Sequence, residues 1–198
     1  MKKVLLLLAN GFETYEAAAF IDVIGWNFVD GDHGTRLYSC ALTKEVKSSF
    51  DQKVIVDYLI EEINVDGYDA LAIPGGFEEY GFYRDAYNER FLDLMRQFQA
   101  GHKPIATICV AALALGKSGL LTGKPATTYH MNSVRQEALA RFGAEVINQP
   151  VVFADGMITS WNPATAMDVA FLLLEILTGA DNAKHIKTIM GFVKEKSE

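Results

Sequence analysis

Apolar residues along this chain fall in short unbroken runs separated by longer, mixed stretches. Val4–Leu8 contains no polar residue, the pattern of a strand buried on both faces. Ala70–Ile73 and Ile105–Ile108 are similar runs, Leu37–Leu42 reads as a further strand, and Lys53–Val56 as a short strand or hairpin arm. Between them the spacing predicts a helix over Ala17–Val29, with Phe20, Ile21, Val23, Ile24 and Phe28 mostly inward. Further helices are expected at Asn88–Gln99, at the small-residue segment Val110–Gly116 and at Ser133–Phe142, which Gly143 ends. A strand near Ala126–Thr128 precedes that last helix; Val151–Phe153 and Met157–Ser160 then flank Ala154-Asp155-Gly156, a tight-turn sequence. A long helix, Ala164–Leu177, closes at Gly179, and a final one covers Asn182–Val193.

Alternation of this kind predicts an α/β fold, with a mostly parallel sheet covered by helices on both faces. In such sheets ligands sit at the carboxyl ends of the strands. That rule points to three loops, Ala9–Glu16, Pro74–Glu79 and Cys109–Ala112.

Composition narrows the picture. The 198 residues fit one domain over 1–198, and half of them are hydrophobic, enough for a full core. The formal net charge is −7, which repels phosphate backbones and argues against a nucleic-acid partner. The nearest thing to a basic run, Lys194 and Lys196, reads as a solvated helix end. No segment approaches the roughly 18 apolar residues of a membrane span. MKKVLLLLAN has the opening of a signal peptide, but its apolar run is short and no small-residue cleavage site precedes Glu13 and Glu16, so it reads as the first strand. The expected compartment is the cytoplasm, where Cys40 and Cys109 stay reduced.

Chemistry concentrates at those loops. Cys109 follows an apolar strand and precedes a helix, in Thr107-Ile108-Cys109-Val110-Ala111, the arrangement of a nucleophile elbow with a thiol as nucleophile. A thiol at a helix start is expected to favour thiolate; a buried structural cysteine is the plain alternative, and the pattern leaves both open. Glu16 and Glu13, three apart, stand at the opening of the first helix, where a first-turn acid can simply be solvated. For Glu13 that plain reading is preferred; Glu16, before Ala17-Ala18-Ala19, has room for close packing and is expected to share a proton with the thiol. Gly75 and Gly76 let backbone N–H groups approach a ligand and, with the N–H of Val110, can form an oxyanion hole. There is no G-x-G-x-x-G and no P-loop, and none of the histidines His33, His102, His130 and His185 has metal-ligand spacing with the cysteines. A cofactor-free, metal-free site is therefore expected. His130, in Thr127-Thr128-Tyr129-His130, follows a predicted strand and can reach the same sheet edge as Cys109.

Four segments in order, Leu-Leu-Ala-Asn-Gly-Phe-Glu-Thr-Tyr-Glu at 7–16, Tyr-Asp-Ala-Leu-Ala-Ile-Pro-Gly-Gly at 68–76, Ala-Thr-Ile-Cys-Val-Ala at 106–111 and Thr-Ser-Trp-Asn-Pro-Ala-Thr-Ala at 159–166, resemble the ThiJ/PfpI superfamily. They are nearer to its parkinsonism-associated deglycase-like branch than to its protease-like branch. The resemblance implies a flavodoxin-like three-layer sandwich, usually a homodimer with the first helix near its interface. It implies that Cys109 is the nucleophilic, oxidation-sensitive thiol, that Glu16 is a protonated acid bonded to it, and that Gly75, Gly76 and Val110 supply backbone donors.

The chain departs from the pattern at three places. Val110 stands where the protease-like branch has a histidine, which argues against a Cys-His protease. Tyr129 stands where the deglycase-like branch usually has a histidine, with His130 one residue later; a one-residue shift on a strand changes face, so either can be the pocket's polar group. Trp161 and Phe50 take places where that branch often has arginine, which implies a more apolar mouth suited to neutral or aromatic substrates. Two functions use the same pair of residues. One is an enzyme, glyoxalase/deglycase-like or hydrolase/hydratase-like, in which Cys109 attacks a small electrophile and Glu16 moves the proton. The other is a redox sensor or stress-response protein in which Cys109 oxidises to a sulfinate. A glutaminase-like amidotransferase is disfavoured, because no H-x-E accompanies the cysteine.

Overall fold

A computed structural model describes residues 1–193; Lys194 and Lys196 lie outside them. In chain order the first half comprises β1 (Lys2–Leu8), α1 (Thr14–Asp30), β2 (Thr35–Ala41), β3 (Glu45–Lys47), β4 (Lys53–Ile55), β5 (Tyr58–Leu59), β6 (Ala70–Ile73), α2 (Phe82–Ala86) and α3 (Glu89–Ala100). The second half comprises β7 (Ile105–Thr107), α4 (Ala111–Lys117), β8 (Pro125–Ala126), α5 (Ser133–Arg141), β9 (Glu145–Val146), β10 (Val151–Ala154), β11 (Met157–Ser160), α6 (Ala166–Thr178) and α7 (Ala180–Ile189).

The main sheet runs β10-β11-β7-β6-β1-β2-β5, parallel throughout except for β10, which pairs antiparallel with β11. The β10–β11 hairpin turns through Asp155 and Gly156, both at positive φ, as its Asp-Gly pair predicts. β1 lies between β2 and β6, and its uninterrupted apolar run divides by pleat. Leu5 and Leu7 enter the core under α2–α5, while Val4, Leu6 and Leu8 enter the core under α1, α6 and α7. Each fully buried leucine contributes roughly 1.5–3 kcal/mol of transfer free energy. This is a flavodoxin-like three-layer sandwich, as expected.

Local boundaries shift for physical reasons. α1 starts at Thr14 with Glu13 as its N-cap, three residues before the predicted start, so Glu16 lies inside the first turn. Ile21, expected inward, is 48% exposed, because α1 buries the stripe of Phe20, Val23, Ile24 and Asn27. The strand expected over Ala126–Thr128 is only Pro125–Ala126. Thr127 leaves the ladder to donate its N–H to Thr159 Oγ1 at 3.0 Å, and the Thr128 hydroxyl donates to the Cys109 carbonyl at 2.9 Å. The last helix stops at Ile189 rather than Val193, with Gly191 at φ +81° just beyond it.

Candidate active site

The three loops singled out above meet at the carboxyl edge of the sheet. Backbone bonds zip the first two together: the Glu13 N–H donates to Gly75 O at 2.8 Å and the Phe77 N–H to Gly11 O at 2.9 Å. The third loop is clamped from both sides. Ile108 donates its N–H to Ile73 O on β6, at 3.2 Å, and Cys109 donates its N–H to Ser160 O on β11, at 3.1 Å. With the Thr128 hydroxyl on its carbonyl, Cys109 is held at φ +57°. A non-glycine residue there costs about 1–2 kcal/mol, and such strain persists only where surrounding bonds over-determine it. The half-buried thiol is thereby set at a sharp turn between β7 and α4.

Glu16 is fully buried, which removes the solvated first-turn reading for this residue. Its Oε2 accepts the Gly75 N–H at 2.7 Å; its Oε1 is buried without a hydrogen-bond partner among the described residues. Burial pushes the carboxyl up to about 8, with the Gly75 N–H pulling the other way and the Glu13 charge adding to the rise. Glu16 therefore holds its proton at neutral pH. The Cys109 thiol is also pushed up, by burial first and then by Glu16, against the Val110 N–H, which favours the thiolate. This corrects the expectation that the helix start would favour thiolate: α4 is only seven residues long, and burial beside a carboxyl outweighs it. The two groups titrate as a pair.

Gly75 is required by close approach. A Cβ on it would sit 2.8 Å from Ile108 O, 2.9 Å from Glu16 Oε2 and 3.0 Å from Cys109 Cβ. Its N–H is spent on Glu16, so it is not a free oxyanion donor, contrary to the sequence-based expectation. The N–H groups of Gly76 and Val110 donate to no backbone carbonyl among the described residues, and both residues line the cavity above the thiol.

That cavity has a volume of about 260 Å³ and includes Glu16, Cys109 and Tyr129 in its lining. Tyr129, not His130, occupies the polar place left open in the sequence. Tyr129 packs against the core under α2–α5, whereas His130 stacks on Trp161, with ring centroids 4.0 Å apart and planes at 25°. Neither His130, offered as the alternative polar group, nor Trp161, expected at the mouth, is among the residues that line the cavity. Phe50 is likewise elsewhere: at φ +65° it rests on Phe77 and Tyr80, with centroids 5.7 and 5.8 Å away.

The structure adds lining residues that local sequence did not single out: Glu78, Glu79, Tyr83, Asn132 and Arg135. Arg135, on α5, donates from Nη2 to Glu78 Oε2 at 2.7 Å across 57 residues of sequence, and its guanidinium lies 5.0 Å from the Tyr83 ring centroid. No short-range pattern announces a pair so distant. Glu13, set aside as a surface acid, also lines the cavity. Among the described residues no group of three or more His, Cys, Asp or Glu is placed to hold a metal ion, and no helix is long and apolar enough to cross a membrane.

Fold and site together define a flavodoxin-like α/β protein with a cysteine on a strained strand-to-helix turn beside a buried carboxyl. The chain belongs to the DJ-1/PfpI family, whose model matches residues 2–176. Protein DJ-1 homolog A of Arabidopsis thaliana is 29% identical over 189 residues, covering 96% of this chain, which spans only 46% of that relative's length. Deglycase PfpI of Pyrococcus furiosus is 30% identical over 162 residues, covering 81% of this chain and 90% of that one. The crystal structure of Drosophila melanogaster DJ-1beta superposes with a TM-score of 0.84 at 26% identity, covering 98% of this chain and 99% of that one.

Proposed function

We propose that this protein is a cofactor-free enzyme in which Cys109 attacks a small electrophile and Glu16 moves the proton. One observation carries the reading: Cys109 is held at φ +57° against a buried, protonated carboxyl whose Oε1 has no partner among the described residues. A structural cysteine needs neither the strain nor the orphaned oxygen. The similarity to a relative named as a deglycase supports the same class.

For a 2-oxoaldehyde the steps balance as follows. The Cys109 sulfur bonds to the aldehyde carbon and the thiol proton ends on the aldehyde oxygen, giving a hemithioacetal. The Gly76 N–H is the donor available to that oxygen, and the Val110 N–H, directed at the Cys109 sulfur before attack, joins it once the sulfur is bonded to carbon. Glu16, in its carboxylate form, takes the proton from this carbon and returns it to the neighbouring one, while the hydroxyl proton passes from the first oxygen to the second through the enediol, leaving a 2-hydroxy thioester. Water then releases a 2-hydroxy acid and the free thiol. A carboxyl poised at about 8 both gives and takes protons near neutral pH. Hydrolase or hydratase chemistry would use the same nucleophile and donors.

The test is turnover without added cofactor on a panel of 2-oxoaldehydes, isocyanides and small amides, using wild type and Cys109→Ser. Turnover by wild type that the serine variant loses is the expected result. No turnover on any member, with Cys109 oxidising to a sulfinate under mild peroxide, would instead favour the redox-sensor reading. We also propose a homodimer through α1, which exposes Tyr15, Ile21, Trp26 and Val29; a monomer by light scattering at micromolar concentration would refute it.

A further inference from the structure

We propose that the cavity above Cys109 selects electrophiles carrying a cationic group, an ammonium or guanidinium, and discriminates against anionic ones. This rests on the nucleophile reading above and adds the substrate's charge to it.

The charges lining the cavity do not balance. Besides Glu16, three acidic residues line it, Glu13, Glu78 and Glu79, against one basic residue, Arg135. Arg135 is already committed: its Nη2 is bonded to Glu78 Oε2 at 2.7 Å and its guanidinium lies over the Tyr83 ring. The side chains of Glu13 and Glu79 form no ion pair and accept no hydrogen bond among the described residues. Glu16 lines the same space, and its buried Oε1 has no hydrogen-bond partner among the described residues, an unmet polar atom that marks the cavity as a ligand site independently of those two acids. Tyr129 and Phe77 contribute aromatic walls, whose faces attract cations.

The imbalance bears on the thiol as well as on the ligand. The Glu13 and Glu16 carboxyls both push the Cys109 thiol up. A cation bound between Glu13 and Glu79 opposes that push, so the right substrate would help to ionise the nucleophile that attacks it. An anionic substrate would do the reverse. Arg135 offers an alternative, an anion hook, but its bond to Glu78 would first have to break.

Methanethiosulfonates of different charge test this directly. A cysteine thiolate attacks their sulfenyl sulfur, forming a mixed disulfide and expelling methanesulfinate, with the thiol proton going to solvent. The rates of Cys109 labelling by the trimethylammonium-ethyl, methyl and sulfonatoethyl reagents are measured by peptide mass mapping and divided by their rates with 2-mercaptoethanol. The expected result is a cation-to-anion preference of about tenfold or more, the scale on which charge-lined clefts focus ligands. It should shrink in Glu13→Gln/Glu79→Gln and fall as salt rises. A ratio equal to the reference, insensitive to salt, with Cys109 still labelled by the neutral reagent, overturns the charge proposal alone. Faster reaction of the anionic reagent overturns it in favour of Arg135 as an anion hook. Failure of the neutral reagent to label Cys109 overturns the nucleophile reading and this proposal with it. The salt series on wild type decides the matter even if the double variant does not fold.

Discussion

Replacing Glu16 by glutamine gives the sharpest physical test of the site. Glutamine is nearly isosteric, and its carbonyl oxygen can still accept the Gly75 N–H that Glu16 accepts at 2.7 Å. What it removes is titration. In the folded state the carboxyl is pushed from its ordinary value of 4.5 up to about 8, chiefly by burial. A raised carboxyl binds more protons in the folded state than in the unfolded state, so its stabilising effect is complete below about 4.5 and is lost as pH rises through about 8. Between those limits wild type should lose about 1.4 kcal/mol of stability per pH unit from this group alone. The full difference corresponds to about 5 kcal/mol, an upper bound because neighbouring groups relax and the Cys109 thiol titrates with it. Urea unfolding of wild type and Glu16→Gln at intervals from about pH 5 to 9 measures this. Stability of the variant relative to wild type should climb with pH and level off above about 8. Parallel stability curves would show that Glu16 is ionised in the folded state across the range, and the proton-sharing argument would fail.

Three further outcomes follow from single contacts. Gly75→Ala should destabilise by roughly 1–3 kcal/mol and slow Cys109 labelling, because the added methyl collides with Ile108 O, Glu16 Oε2 and Cys109 Cβ; unchanged stability and labelling would mean the two loops have slack. Thr128→Val keeps the shape but deletes the hydroxyl that holds the Cys109 carbonyl, and should cost roughly 1–3 kcal/mol in thermal or urea unfolding. Limited alkylation at neutral pH should modify Cys109 and spare Cys40, which is fully buried and whose thiol burial pushes far up; preferential labelling of Cys40 would sink the assignment.

The architecture was legible in the sequence because burial on both faces leaves a local signature. Runs such as Val4–Leu8 and Ala70–Ile73 admit no polar residue, and alternation with helical spacing then fixes a covered parallel sheet. The carboxyl-edge rule selected the three loops that meet at the site, and the strand-to-helix context selected Cys109 within them. What the sequence left open depended on contacts between distant segments. Whether Glu16 is a solvated helix acid or a buried proton carrier is decided by the Gly75 loop, 59 residues away. Whether Tyr129 or His130 lines the cavity is decided by Thr127 and Thr128 abandoning the strand for bonds to Thr159 and Cys109, and by Trp161 stacking on His130. The charge of the cavity is the clearest case. Reading Phe50 and Trp161 as lost arginines suggested an apolar mouth, yet the fold carries both away from the lining and brings Glu13, Glu78, Glu79 and Arg135 in. Periodicity reports which face of an element is buried, but electrostatics depends on distances across the fold, and those exist only once the chain has closed on itself.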